Sequence, residues 1–141
     1  MQPFFYLCTI MKQNYQSDYI QQLVAQGEHV QQDFKFAITD ARKIARSISA
    51  FANTEGGRLL VGVKDNGKIA GVRSEEEIYM IEAAATMYCQ PKVEIRNTIY
   101  NVEGKNAPEV QIAQSEQKPV YALDEQNKPW PYVRIKDENI P

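Results

Sequence analysis

The chain has few of the residues that mark several large classes of protein. Its only cysteines are Cys8 and Cys89, too few for a disulfide framework or a thiolate metal site, so we expect a reduced, cytoplasmic protein. No apolar run approaches the roughly 18 residues of a membrane span, which predicts no contact with a membrane. The single histidine, His29, lies in a polar run and is more simply a surface residue than a catalytic one. The remaining composition is ordinary, and 141 residues suit one domain.

The first twelve residues read as an uncertain N-terminal extension. Residues 4–10 are apolar, but no basic residue precedes them and no small-residue cleavage site follows, so they make a poor signal peptide. Two interpretations stay open for this segment: an upstream or artificial start before Met11, or a short edge strand.

Basic residues are concentrated in the middle of the chain. Residues 34–73 carry eight Lys or Arg against three Asp or Glu, a net charge of +5, whereas the whole chain has a net charge of −2. The central segment can therefore present a basic face to phosphates. Ordinary solvated helix and loop charges are the alternative explanation.

Hydrophobic periodicity predicts an α/β or α+β domain around one mixed sheet. Helices are predicted over residues 16–26, after a cap at Thr39 or Asp40, and after a capping box that begins at Ser74. Alternation predicts strands over residues 33–38, 58–64, 68–72, 93–100, 108–113, 119–122 and 132–135.

Residues 50–65 join the second helix to a strand rich in Leu and Val. The polar turn and glycines of this stretch permit a helix exit, positive φ or close backbone approach, and the apolar run after them predicts a strand buried on both faces. We assign a turn and structural role to Asn53, Thr54, Gly56, Gly57 and Gly62.

Three carboxylates can carry chemistry. Asp33 lies in one predicted strand, Asp65 ends the strand expected beside it, and Glu28 is nearby in sequence, so a shared cluster is geometrically feasible. Converging carboxylates favour a divalent cation such as Mg²⁺ or Mn²⁺, which can generate hydroxide for phosphodiester cleavage. Lys35 shares a strand face with Asp33 and can hold a phosphate or pair with that acid. Ordinary surface acids are the competing interpretation.

Four aromatic residues at strand and turn positions can stack on nucleic-acid bases. Packing within the sheet or at its rim is the more common use of aromatic residues at such positions. The four are Tyr100, Tyr121, Trp130 and Tyr132.

Several of these strings resemble the Schlafen-type Alba-like domain family, described in bacteria as DNA-binding. The family pattern is Glu-x(4)-Glu-Phe-Lys, then Ala-Phe-Ala-Asn-Thr-x-Gly-Gly, then Gly-Val-x-Asp and Gly-x-Ile-x-Gly. Here it falls on residues 28–35, 50–57, 62–65 and 67–71, and residues 119–121 and 132–134 resemble the closing strands. The resemblance assigns residues 13–141 to one such domain.

The resemblance implies a mixed α/β fold and two kinds of function. Bacterial members are mostly transcriptional regulators or nucleic-acid-binding proteins, often with a winged-helix domain after this one. Some Schlafen relatives are metal-dependent RNases, whose acidic trio carries over to Glu28, Asp33 and Asp65. The second acid is usually Glu in the family, and the shorter Asp33 can loosen a metal site.

The leading hypothesis is the nucleic-acid-binding, DNA-binding domain of a bacterial transcriptional regulator, with a homodimer as one assembly it permits. Phosphate contacts are assigned to Lys35, Arg42, Lys43, Arg46, Arg58 and Lys64. The alternatives are a metal-dependent endoribonuclease that uses the trio as catalytic and metal residues, and a protein-interaction or oligomerisation module.

Overall fold

The computed structural model describes the backbone of residues 3–141 and the side chains of residues 14–141. Within this part of the chain the helices are α1 (Pro3–Ala25), α2 (Ala41–Asn53) and α3 (Glu76–Met87). The strands are β1 (Gln32–Lys35), β2 (Gly57–Val61), β3 (Cys89–Gln90), β4 (Ile95–Val102), β5 (Lys105–Ile112), β6 (Tyr121–Leu123), β7 (Pro129–Pro131), β8 (Val133–Ile135) and β9 (Glu138–Ile140).

The largest sheet has the strand order β1-β2-β5-β4. β1 and β2 are parallel and are connected through α2, whereas β5 is antiparallel to both β2 and β4. The C-terminal strands form two further sheets, β3-β6-β7 and β8-β9. The α+β class is therefore confirmed, but the expectation of one mixed sheet was too simple, because the short C-terminal strands pair among themselves.

The large sheet is buried on both of its faces. Leu59 and Val61 belong to one apolar cluster with α2 and α3, while Leu60 belongs to a second cluster with Ile20 and Leu23 of α1. Alternate residues of a strand point to opposite faces, so one apolar run can serve both clusters. The prediction that this strand is buried on both sides is confirmed.

The stretch that follows α2 ties the helix to the C-terminal strands. The Asn53 side chain donates to the carbonyls of Val120 and Tyr132 and accepts from the Val120 amide, at 2.7–2.9 Å. The Thr54 hydroxyl accepts from the Arg134 amide at 2.9 Å. These two polar side chains thereby hold β8 against the end of α2.

Glycine is required where the chain turns into β2. At Gly57 a Cβ atom would lie 2.6 Å from the Phe51 ring and 2.7 Å from the Gln31 carbonyl oxygen. Gly56 has φ +71°, and its Cβ would meet the Ile112 carbonyl oxygen at 2.8 Å. At Gly62, with φ +80°, a Cβ would lie 2.7 Å from the backbone of Gly71. A side chain at any of the three would displace backbone or core.

Four sequence-based predictions need correction. The backbone of residues 4–10 is helical, so the edge strand is wrong there. Ser74 does not cap α3, because Glu77 accepts from the amides of Ile38 and Arg73 instead. Residues 68–72 make only a single bridge, Val63 to Ile69, rather than a strand. The strands at 119–122 and 132–135, predicted on either side of a turn at residues 124–131, do not pair with each other, because residues 133–135 pair with residues 138–140.

The other helix predictions hold in outline. α2 begins after Asp40, whose carboxylate accepts from the Arg42 amide at 2.9 Å, as predicted for an N-cap. The helix predicted over residues 16–26 is the C-terminal part of α1. No helix in the described part of the chain has the length and apolar character needed to cross a membrane.

Candidate nucleic-acid interface

Asp33 is a buried carboxylate that is already neutralised by two cations. It lies in β1 with 5% of its surface exposed. Its Oδ2 is 3.1 Å from the Lys35 ammonium, and its Oδ1 is 3.4 Å from the Arg134 guanidinium. Asp33 and Lys35 are two residues apart on the strand and so share a face, as the sequence predicted.

Glu28 lies beside Asp33 and blocks the free edge of β1. Its Oε1 accepts from the Phe34 amide at 3.0 Å, and this amide therefore has no need of a further strand as partner. Burial raises the pKa of the Glu28 carboxyl, and the nearby carboxyls of Asp33 and Asp65 raise it further, against the lowering effect of the Phe34 hydrogen bond. Asp65 itself is exposed at the turn after β2.

This arrangement of the trio does not fit a divalent cation. Both Asp33 oxygens are occupied by Lys35 and Arg134, and one Glu28 oxygen is occupied by the Phe34 amide. Among the side chains of residues 14–141, no group of three or more His, Cys, Asp or Glu is placed to hold a metal ion. We therefore derive no catalytic step through a metal.

Arg134 is the residue that sequence reasoning missed. Its side chain is fully buried, and its Nη2 donates to the carbonyls of His29 and Gln32 at 3.0 and 3.1 Å. Its Nη1 donates to Asn139 Oδ1 at 2.9 Å. The sequence did contain a sign of this role, because Arg134 interrupts an otherwise apolar strand at residues 132–135. A buried strand position tolerates an arginine only when its charge is paired.

Three of the predicted phosphate-binding residues converge on one groove beside α2. Lys35, Lys43 and Arg46 line this hollow of roughly 600 Å³, which we call the α2 groove. Lys43 and Arg46 are three residues apart and so share a helix face, while Lys35 approaches from β1. The other lining residues are Ser47, Tyr132, Glu138, Asn139, Ile140 and Pro141.

Two of the three cations of the α2 groove, Lys43 and Arg46, are only weakly engaged within the domain, whereas Lys35 pairs with the buried Asp33 at 3.1 Å. Arg46 is 3.4 Å from Glu125, but both side chains are substantially exposed, and such surface pairs contribute little. Lys43 is exposed, and no ion pair of residues 14–141 includes it. Phosphates can therefore compete for Lys43 and Arg46 at small cost.

The other three predicted cations lie elsewhere and have different partners. Arg42 donates to the Asp124 carbonyl and to Asn127, and its guanidinium lies 4.5 Å from the Tyr88 ring centroid. Arg58 pairs with buried Glu109 at 3.2 Å. Lys64, which follows β2, places its ammonium 5.3 Å from the centroid of the Phe36 ring. The structure thus brings together half of the predicted set.

The aromatic residues considered for base stacking mostly pack within the domain. Tyr100 lies against Tyr19 with ring centroids 5.0 Å apart, and Tyr132 is partly buried against the α2–α3 cluster. Tyr121 is half-buried in β6. Trp130 is 48% exposed, with its indole N–H donating to Asp124 at 2.9 Å.

Fold and groove together define a small α+β domain with a basic cleft between its main sheet and its C-terminal hairpin. The model of the Schlafen AlbA_2 family matches residues 28–141, and the chain belongs to this family. The family resemblance read from residues 28–71 is thereby confirmed. No curated protein sequence matches the chain.

Two solved structures share the fold. The DIP2311 protein from Corynebacterium diphtheriae superposes with a TM-score of 0.59 at 19% identity, over 94% of this chain and 27% of that protein. The N-terminal domain of a protein from Nitrosomonas europaea, described as related to the ATP-dependent DNA helicase RecG, gives a TM-score of 0.61 at 20% identity, over 84% of this chain and 86% of that domain. The chain therefore spans about a quarter of the first relative's length.

Proposed function

We propose that this domain binds nucleic acid, with the polymer's phosphates in the α2 groove. The observation that carries the proposal is the convergence of Lys35, Lys43 and Arg46 from two elements onto one concave surface. Membership of the Schlafen AlbA_2 family and the likeness to a domain of a RecG-related protein support it. Within that function, DNA binding as part of a transcriptional regulator is the finer role we propose.

The groove suits phosphate contacts better than base readout. Lysine and arginine ion pairs with phosphates fix the position and orientation of a nucleic acid, but they carry no sequence information. Their contribution comes from released counterions, so the affinity should fall steeply as salt rises. The proposed partner is therefore recognised through its charge first.

The test is a salt titration of binding with labelled duplex DNA and labelled tRNA. Lys43→Ala and Arg46→Ala should each weaken binding and reduce the slope of log K against log salt by about 1. Lys92→Ala removes an exposed lysine that does not line the groove, and it should leave both quantities unchanged. Equal effects of Lys92→Ala and Lys43→Ala would place the interface outside the groove.

The same samples, incubated with Mn²⁺ or with EDTA and run on a gel, separate the alternatives. We expect shifted but intact nucleic acid in both. Cleavage that needs Mn²⁺ and is lost in Asp65→Ala would favour the endoribonuclease instead. The absence of both a gel shift and cleavage would favour the protein-interaction module.

A further inference from the structure

Phe36 is an aromatic residue that the fold leaves open to solvent. The alternation of residues 33–38 predicts a strand with Phe34 and Phe36 on the face opposite Asp33 and Lys35. Phe34 is buried at 5% exposure, but β1 ends at Lys35 and Phe36 is 51% exposed. Because β1 ends at the residue before Phe36, the Phe36 ring lies outside the sheet and reaches the surface.

The surroundings of Phe36 form a shallow apolar hollow with a cation on the ring. The Lys64 ammonium lies 5.3 Å from the ring centroid, within the range of a cation–π contact. Ile38 and Met80 add apolar walls to a hollow of roughly 330 Å³. A flat ring can lie here against carbon rather than against water.

The charges around the hollow nearly cancel. The positive groups are Lys64, which lies over the ring, and Arg73, which lines the hollow. The negative groups are Glu76 and Glu77, which also line it, and Asp65, which follows Lys64 in the chain. An anion gains little from such a balance. The site suits an uncharged aromatic group better than a phosphate, in contrast to the α2 groove.

The hollow and the α2 groove are lined by consecutive residues of the chain, Lys35 in the groove and Phe36 in the hollow. We propose that Phe36 is a stacking platform for an unpaired base of the nucleic-acid strand whose phosphates lie in the α2 groove. This inference rests on the proposed function, and it narrows the ligand to a single-stranded stretch, since a paired base has no free face to offer the ring.

The test compares single-stranded and duplex ligands in Phe36 variants. Labelled oligo(dT) and oligo(U) of roughly 12 nucleotides, within the site sizes of small single-strand-binding domains, and a duplex of equal length serve as probes. Phe36→Ala should weaken single-strand binding roughly tenfold with an unchanged salt slope, and leave duplex binding unchanged. Phe36→Trp should restore it, and comparison of the two oligonucleotides separates DNA from RNA.

A matched control is available on α3. Tyr79 is 62% exposed and does not line the hollow, so Tyr79→Ala removes an exposed aromatic ring without touching the site. Because Phe36 is half-exposed, Phe36→Ala should keep the thermal midpoint of the wild type, which circular dichroism checks.

Each contrary result has its own meaning. If the wild type binds no probe, the proposed function fails and the platform fails with it. If the wild type binds and Phe36→Ala behaves as Tyr79→Ala does, the platform is overturned while the α2 groove stands. Equal losses of affinity for the single strand and the duplex in Phe36→Ala also overturn the platform. A change in the self-association of Phe36→Ala, measured by sedimentation, overturns it as well and would assign Phe36 to a protein contact.

Discussion

The domain contains two arginine–carboxylate pairs with buried carboxylates, and only one of the two pairs also buries its arginine. In the Arg134–Asp33 pair the arginine side chain is fully buried and the carboxylate is 8% exposed. In the Arg58–Glu109 pair the carboxylate is 1% exposed and the arginine 29%. The difference teaches how strongly each charge depends on the fold, because burying a charge costs free energy unless the charge is paired and hydrogen-bonded.

The buried Arg134 joins separate parts of the chain. It donates to the loop after α1 through the His29 carbonyl, to β1 through Gln32 and to β9 through Asn139. Its guanidinium also lies 4.8 Å from the Phe51 ring centroid, on α2. Arg134 therefore fixes the C-terminal hairpin beside the α2 groove, although it does not line that groove.

The buried Glu109 gathers donors instead. Its carboxylate accepts from the Tyr19 hydroxyl at 2.7 Å and from Gln111, besides pairing with Arg58. Burial, together with the hydrogen bond and charge of Glu109, raises the pKa of Tyr19 to about 12. This pair links α1 to the central sheet, on the other side from the hairpin.

The largest expected effect comes from removing the buried arginine. Arg134→Met should lower the free energy of unfolding by about 3–5 kcal/mol, because it leaves the buried Asp33 with one cation and takes one of two donors from each of two backbone carbonyls. Arg134→Lys should recover only part of this loss, since an ammonium cannot reach the same fork of acceptors. Urea unfolding measures both. A loss below about 1 kcal/mol for Arg134→Met would show that the pair does not hold the hairpin.

Removing the buried carboxylate should cost less. Glu109→Gln keeps an oxygen acceptor for Tyr19, and the partly exposed Arg58 can turn to water, so we expect a loss of about 1–2 kcal/mol in urea unfolding. The pKa of Tyr19, followed by ultraviolet titration, should fall from about 12 towards its ordinary value as the neighbouring charge disappears. A loss as large as that of Arg134→Met would remove the contrast between the two pairs.

These pairs mark where prediction from sequence ended. Local patterns sufficed for the cap at Asp40, the amphipathic α2 and the β4–β5 hairpin, because each depends on residues close in the chain. The placement of the C-terminal strands depends on Asn53 and Thr54 reaching residues 120, 132 and 134, which no local pattern encodes.

The candidate site was predictable to a similar extent. Charge density pointed to the central segment, and so to a set of cations that includes Lys43 and Arg46. The same count could not show that Arg42 and Arg58 have partners within the domain, because Asp124 and Glu109 lie far away in sequence. It also could not show that Asp33 pairs with Arg134, about a hundred residues later.

The smallest expected effect concerns Glu28, which lies beside the Arg134–Asp33 pair and makes no ion pair with residues 14–141. The pKa of Glu28 is raised in the folded domain, so its proton stabilises the fold below the unfolded pKa, and this stability is lost as pH rises through the folded pKa. Glu28→Gln mimics the protonated acid and can still accept from the Phe34 amide. Its free energy of unfolding relative to the wild type should therefore increase as pH rises above the ordinary Glu pKa of about 4.3, by no more than about 1 kcal/mol, which thermal melts at a series of pH values measure.

Adding Mn²⁺ to the same melts sharpens the comparison. Since Lys35 and Arg134 already neutralise Asp33, we expect Mn²⁺ at pH 7 to leave the midpoints of both the wild type and Glu28→Gln unchanged. A ligand that binds only the folded state raises the midpoint, so a metal held by Glu28, Asp33 and Asp65 would stabilise the wild type and not the variant. That result would show that the ion pairs around Asp33 open to admit a metal, and it would return the trio to a catalytic role.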